Sequence, residues 1–233
     1  MQVTLIPDIK IESIERLLIK YASNPEDPET NFYLGVGYES IGHTAPALSY
    51  YLRCSERTDN DLLAYEALIR GAYCYQKQGG RDWTAKTLFQ HALLTKPERP
   101  EAYFLLSRFC RERSQNQDAY IYASQGLRFL DSEFDNLITD VDYHGETGLL
   151  FEKAVSGWFW GKVEESVGIL NKLYDSTETP INYKEQSKNR LKEFKKWNRP
   201  DIDFSKFNED EIGMIIRELT DDEVYNFWKN KSR

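Results

Sequence analysis

A chain of 233 residues with 40% hydrophobic content can bury one continuous core, either as a single elongated domain or as a domain with a tail. Its formal net charge of -8 argues against the phosphate-neutralising surface of a nucleic-acid binder, and no run of eighteen uncharged apolar residues is present to cross a membrane. The first twenty residues carry Asp8, Lys10, Glu12, Glu15, Arg16 and Lys20, so no secretory leader is expected; with three cysteines, an odd number, the expected location is cytoplasmic.

Residues 1–7 read as extended. From Asp8 to Tyr21 the apolar positions Ile11, Ile14, Leu17, Leu18 and Tyr21 fall on one helical stripe, which makes residues 1–24 a candidate cap for the first helix pair. Pro25 and Pro28 end that helix. Four helix pairs are then expected over residues 29–57, 61–95, 99–130 and 145–175, with turns at Gly42, Gly79-Gly80, Gln115-Asn116 and Gly161. They make up one array over residues 25–178. Its insertion at 131–145 is acidic and aromatic and reads as a long loop packed on the edge. A basic helix over 179–199 comes next, in which Lys184 to Arg199 holds seven basic and two acidic residues. Such a run is either a surface for an anionic partner or, the better fit, a solvated face over a buried stripe of Leu191, Phe194 and Trp197. The tail from residue 200 carries two capping boxes, Asn208 with Glu211 and Thr220 with Glu223, opening short amphipathic helices over 209–219 and 221–229.

Within the pairs one pattern returns. Leu34, Gly35 and Tyr38, then Ala47 and Tyr51, are matched by Leu68, Gly71, Ala72 and Tyr75, then Ala85, Phe89 and Pro97. Tyr103, Leu106, Ser107 and Cys110, then Ala119 and Ala123, repeat it. Ala85 and Ala119 are 34 residues apart, and Ala47 and Ala85 are 38 apart, so the recurrence is close to regular. A weaker fourth copy (Leu150, Ala154, Gly157, Gly161, Ser166, Leu170) comes 47 residues after the third, which accounts for the insertion. Small residues at fixed offsets let two antiparallel helices cross closely, while Leu34, Tyr38, Tyr51 and Phe89 fill the space beside each crossing. Cys54, Cys74 and Cys110 fall at positions that want small apolar side chains, so packing is their expected role.

The pattern resembles the tetratricopeptide repeat, W-x2-L-G-x2-Y followed by A-x3-F and P. The resemblance implies an all-α fold, a right-handed superhelical solenoid of antiparallel helix pairs, here with an N-terminal capping helix and a C-terminal helical tail. Three stretches, Tyr33 to Gly42, Lys96 to Leu127 and Asp140 to Gly161, further resemble the repeat region attached to bacterial and phage family-2 glycosyltransferases. These 233 residues hold no counterpart of the sugar-nucleotide domain of those enzymes, so their activity does not carry over.

In tetratricopeptide arrays the first helix of each pair lines a groove. The resemblance places Phe32, Val36 and Glu39, then Ile69, Tyr73 and Gln76, then Phe104, Arg108 and Arg111, then Phe151, Val155 and Trp158 in that row. The Lys and Asn of the family's carboxylate clamp do not occur there, so a chaperone-type adaptor for C-terminal peptides is not implied. Aromatic, aliphatic and Arg side chains suit a partner helix or extended segment with apolar anchors. The groove could equally be filled by the chain's own Phe204, Phe207 and Ile212.

No catalytic constellation emerges. His43, His91 and His144 are scattered, no Gly-rich loop follows a strand, and Asp140-Val141-Asp142 lacks the strand that would make it a metal-diphosphate site. The expectation is a non-catalytic scaffold with no metal, cofactor, nucleic-acid or membrane-inserted partner, and with a protein or peptide in the groove. A glycosyltransferase is a candidate partner. The alternatives are an accessory part of a glycosyltransferase and a structural subunit of a phage particle.

Overall fold

The computed structural model describes residues 12–130, 134–197 and 204–220, and no strand forms among them. The chain divides within one helix into two compact units, residues 1–106 with 131–143 and residues 107–130 with 144–233.

The first unit runs α1 (Ile14–Ser23), α2 (Pro28–Ser40), α3 (Thr44–Arg57), α4 (Asp61–Gln78), α5 (Asp82–Thr95) and the start of α6 (Pro100–Arg111). Local chemistry sets the boundaries. Asp27 accepts from the Thr30 amide ahead of Pro28, and Asn60 accepts from the amides of Leu62 and Leu63, so both N-termini are capped by side chains. Successive helices pack on each other, α2 on α3, α3 on α4 and α4 on α5. Helix α4 is consequently enclosed, every residue from Leu63 to Cys74 being buried. The close crossings fall at the small residues: Ala47, Ala72 and Ala85 are fully buried. At Gly35 an added Cβ would lie 2.6 Å from the Tyr51 ring, so this approach admits no side chain.

Helix α1 packs on α2 with Leu17 buried, but two details differ from expectation. It begins at Ile14 rather than Asp8, because Ser13 is extended and caps it; residues 8–11 lie outside the described residues. Leu18 is 36% exposed, since the stripe that faces α2 runs through Ile14, Leu17 and Tyr21 and leaves Leu18 at its margin.

The second unit holds the rest of α6, α7 (Asn116–Gly126), a short 3-10 helix Leu127–Phe129, α8 (Gly145–Phe159), α9 (Val163–Asp175), α10 (Ile181–Trp197) and α11 (Glu209–Thr220). Ser107 occupies a crossing and donates to the Ala119 carbonyl at 2.7 Å, which satisfies a hydroxyl in a position otherwise taken by alanine. Helix α10 is the basic helix, and its buried side consists of Tyr183, Ser187 and Phe194 with Leu191 half-buried. The expected stripe through Leu191 and Phe194 is present and extends toward the N-terminus through Ser187 to Tyr183; the side chain of Trp197 lies outside the described residues. Asn208 and Glu211 form the capping box that opens α11, each accepting from the other's amide at 3.0 and 2.9 Å. The second tail helix expected over 221–229 lies outside the described residues.

Cys54, Cys74 and Cys110 are buried and none is in a disulfide, and burial pushes the thiols of Cys54 and Cys74 up to about 12. They are packing residues.

Candidate functional site: an occupied inner face

The residues assigned to the groove come to lie on α2, α4, α6 and α8, and most are buried. Phe32, Val36, Glu39, Ile69 and Tyr73 are covered in the first unit, as is Phe104; Phe151, Val155 and Trp158 are covered in the second. Gln76, Arg108 and Arg111 are half-buried.

What lies over Glu66, Arg70, Tyr73 and Phe104 in the first unit is the insertion. Residues 134–143 do not pack on an edge; they run across α4 and the start of α6, alternating in burial as far as Val141 before the chain turns at Asp142, whose φ is 57°. Leu137, Thr139 and Val141 are buried while Asn136 and Asp140 are exposed, the alternation of an extended strand with one face down. The face grips this strap mostly by its main chain. Glu66 accepts from the Ile138 amide at 2.7 Å and from the Thr139 amide and hydroxyl, the latter at 2.6 Å. Tyr73 donates to the Val141 carbonyl at 2.9 Å, Arg99 to the Asp135 carbonyl at 2.9 Å, and Arg70 to the Asp140 carbonyl at 3.4 Å. Phe104 meets Tyr143 edge-on at 5.7 Å.

Beneath the strap sit two buried ion pairs. Arg70 pairs with both oxygens of Glu39, at 3.0 and 2.6 Å, and the same carboxylate accepts from Lys77 and Tyr51. Burial opposes the charge on Arg70, but the Glu39 carboxylate outweighs it and the guanidinium pKa is raised. Arg99 pairs with both oxygens of Glu101, and Tyr65 donates to Glu101 at 3.2 Å while its own oxygen accepts from the Ala102 amide. Burial drives the Tyr51 and Tyr65 hydroxyls well above their ordinary pKa, with Glu39 and Glu101 adding to it. Glu66 is different: among the described residues its hydrogen bonds all go to the strap. Burial raises its carboxyl above the usual range, and the Thr139 and Ile138 bonds pull it part of the way back.

In the second unit, α10 covers the assigned residues. Trp158 stacks on Phe194 with centroids 3.9 Å apart, Phe151 meets Tyr183 at 5.3 Å, and Ile212 of α11 packs against the same cluster. Phe207, expected as a filler of the groove, is 40% exposed. Arg111 forms an ion pair with buried Glu152, whose carboxyl burial raises and Arg111 draws down.

Asp140 turns back to accept from the Asp142 amide at 2.8 Å, and the described residues contain no group of three His, Cys, Asp or Glu side chains placed to hold a metal. No described helix is long and apolar enough to cross a membrane.

The buried alanine crossings and successive antiparallel pairs define an all-α, tetratricopeptide-type fold. Two solved structures share it: MamA, in its crystal structure, with a TM-score of 0.52 and 12% identity over 78% of this chain and 89% of that one, and TTC0263, a thermophilic TPR protein in Thermus thermophilus, with a TM-score of 0.51 and 15% identity over 76% and 88%. At these identities the likeness speaks for the fold. No protein-family model and no curated protein sequence matches the chain.

Sequence reasoning missed Glu66, Arg70 and Arg99, which hold the strap. For two of them a signal was present: Glu66 and Arg70 interrupt the otherwise apolar and polar-uncharged run from Leu62 to Gln76 of α4, whereas Arg99 lies among other charged residues ahead of α6. Charges in such places need partners.

Proposed function

We propose that this chain is a non-catalytic, protein-binding scaffold of the tetratricopeptide kind that receives a partner segment on the inner faces of its first helices. The observation that carries this reading is the strap itself. A face that holds residues 135–141 of the insertion largely through main-chain hydrogen bonds has the chemistry to hold a peptide. Gln76 in the first unit and, separately, Arg108 and Arg111 in the second are the assigned residues that remain partly exposed, and each is a proposed contact for a partner.

The test is affinity capture from the native cell with wild type and a Gln76→Glu, Arg108→Glu double variant. Loss of specific partners with helical content unchanged supports the reading; an identical partner set removes it. Association with a glycosyltransferase or glycan-assembly system rests on the sequence resemblance alone, and a sugar-nucleotide domain encoded beside this chain would support it. A role as a structural subunit would instead appear as a fixed copy number in purified particles. Buried cysteines outside any disulfide fit a cytoplasmic setting.

A further inference from the structure

We propose that the inner face of the first unit is a site for extended peptides of the pattern aliphatic-x-hydroxyl-x-aliphatic, and that residues 134–143 are its built-in, exchangeable occupant. This rests on the scaffold reading and names its ligand and its regulation.

Three observations carry it. First, recognition is of backbone and pattern rather than of a unique side-chain set. The strap's amides and carbonyls take most of its hydrogen bonds to the face, and its buried positions are Leu137, Thr139 and Val141, of which Thr139 is read through its hydroxyl. Any chain with that alternation fits. Second, the site is preorganised without the strap. Arg70 and Arg99 are each held on both oxygens of a carboxylate, Glu39 and Glu101, that the strap does not supply, so departure of the strap leaves their charges paired. Glu66 alone is dedicated to the occupant, since its described hydrogen bonds all end on Ile138 and Thr139. Third, the face is not sealed. A cavity of about 170 Å³, lined by Tyr33, Asn60 and Leu63 among others, opens beside Glu66, Asn136 and Ile138. Water therefore has a route to the carboxylate that would be stranded, and an incoming strand has a place to begin.

The occupant competes by being tethered. Its high effective concentration keeps the site closed to weak ligands and leaves it open to a peptide that matches the pattern better or arrives in many copies.

The experiment uses the full chain and a labelled synthetic peptide with the sequence of residues 134–143. In one variant those ten residues are replaced by a Gly/Ser stretch of equal length; in a second, Glu66→Ala is added. The strap-replaced protein is expected to bind the peptide at least tenfold more tightly than wild type, and Glu66→Ala to reverse at least tenfold of that gain. A folded strap-replaced protein that does not bind the peptide, or binds it no better than wild type, overturns the proposal. Should the replacement unfold the chain, hydrogen exchange of wild type decides. Amides of Ile138 and Thr139 that open far more readily than those of α4 support an exchangeable strap, and amides that open only with α4 overturn it. Failure here, with partners still lost in the Gln76→Glu, Arg108→Glu variant, would leave the scaffold reading standing; retention of partners by that variant would remove the reading itself.

Discussion

Glu66 and Thr139, separated by 73 residues in sequence, meet through the carboxylate of one and both the amide and hydroxyl of the other. A buried carboxylate is tolerated when it is fully hydrogen-bonded, and here the donors come from an inserted segment rather than from the repeats. The insertion is thereby part of the first unit's core.

Tyr73→Phe removes only the hydroxyl that donates to the Val141 carbonyl while keeping the ring that packs on Phe89. One buried acceptor is left unsatisfied, so a loss of about 1–3 kcal/mol is expected in urea unfolding. The loss should show as a shift in the denaturation midpoint with an unchanged slope.

Two helix-interior glycines should respond in opposite ways. At Gly35 a Cβ would come 2.6 and 2.7 Å from the ring of Tyr51, which is fully buried and tied by its hydroxyl to Glu39, so Gly35→Ala is expected to cost about 1–3 kcal/mol through overpacking. At Gly71 the nearest atom is the Leu88 Cδ1 at 3.3 Å, the far end of a flexible side chain. There the gain in helix propensity, about 1 kcal/mol, should make Gly71→Ala neutral or stabilising, read as the thermal midpoint.

Glu66 predicts a pH dependence with a definite sign. Its folded pKa lies above its ordinary value because burial outweighs the hydrogen bonds from Thr139 and Ile138. Above the ordinary carboxylate pKa the folded state therefore binds more protons than the unfolded one, and this group's contribution to stability falls as pH rises through the folded pKa. Wild type should lose stability relative to Glu66→Gln as pH increases from the ordinary carboxylate value toward neutrality. A gain of wild type over the variant across that range would mean that the strap's donors outweigh burial.

Phe194 stacks on Trp158 and meets Phe159 edge-on at 6.1 Å, which makes it the main apolar anchor of α10 in the second unit. Phe194→Ala is expected to destabilise that unit by about 3–5 kcal/mol, with the amides of α10 losing protection in hydrogen exchange.

The helix pairs were legible because their cause is local. Gly35, Ala47, Ala85 and Ala119 recur at a spacing that only crossing helices require, and Asn208 with Glu211 announces a helix within four residues. The destination of 131–145 was not legible, because acidic and aromatic residues in a loop say nothing about which face they will meet. The family pattern could assign Tyr73 and Phe104 to an inner face but not say what lies on it. That depended on long-range pairings, Glu66 to Thr139 and Arg99 to Asp135, which leave no periodicity behind. The N-terminal end of the α10 stripe went unread for a related reason: the partners of Tyr183, Phe151 and His144, lie outside its own helix.

The most direct test of the central claim, that the first unit's inner face holds the chain's own insertion, is a double-mutant cycle between Glu66→Ala and Thr139→Val, read by urea unfolding. Direct contact predicts a coupling of at least about 1 kcal/mol, the single losses overlapping in the double variant. Losses that add to within about 0.5 kcal/mol would place the two residues apart and contradict the account.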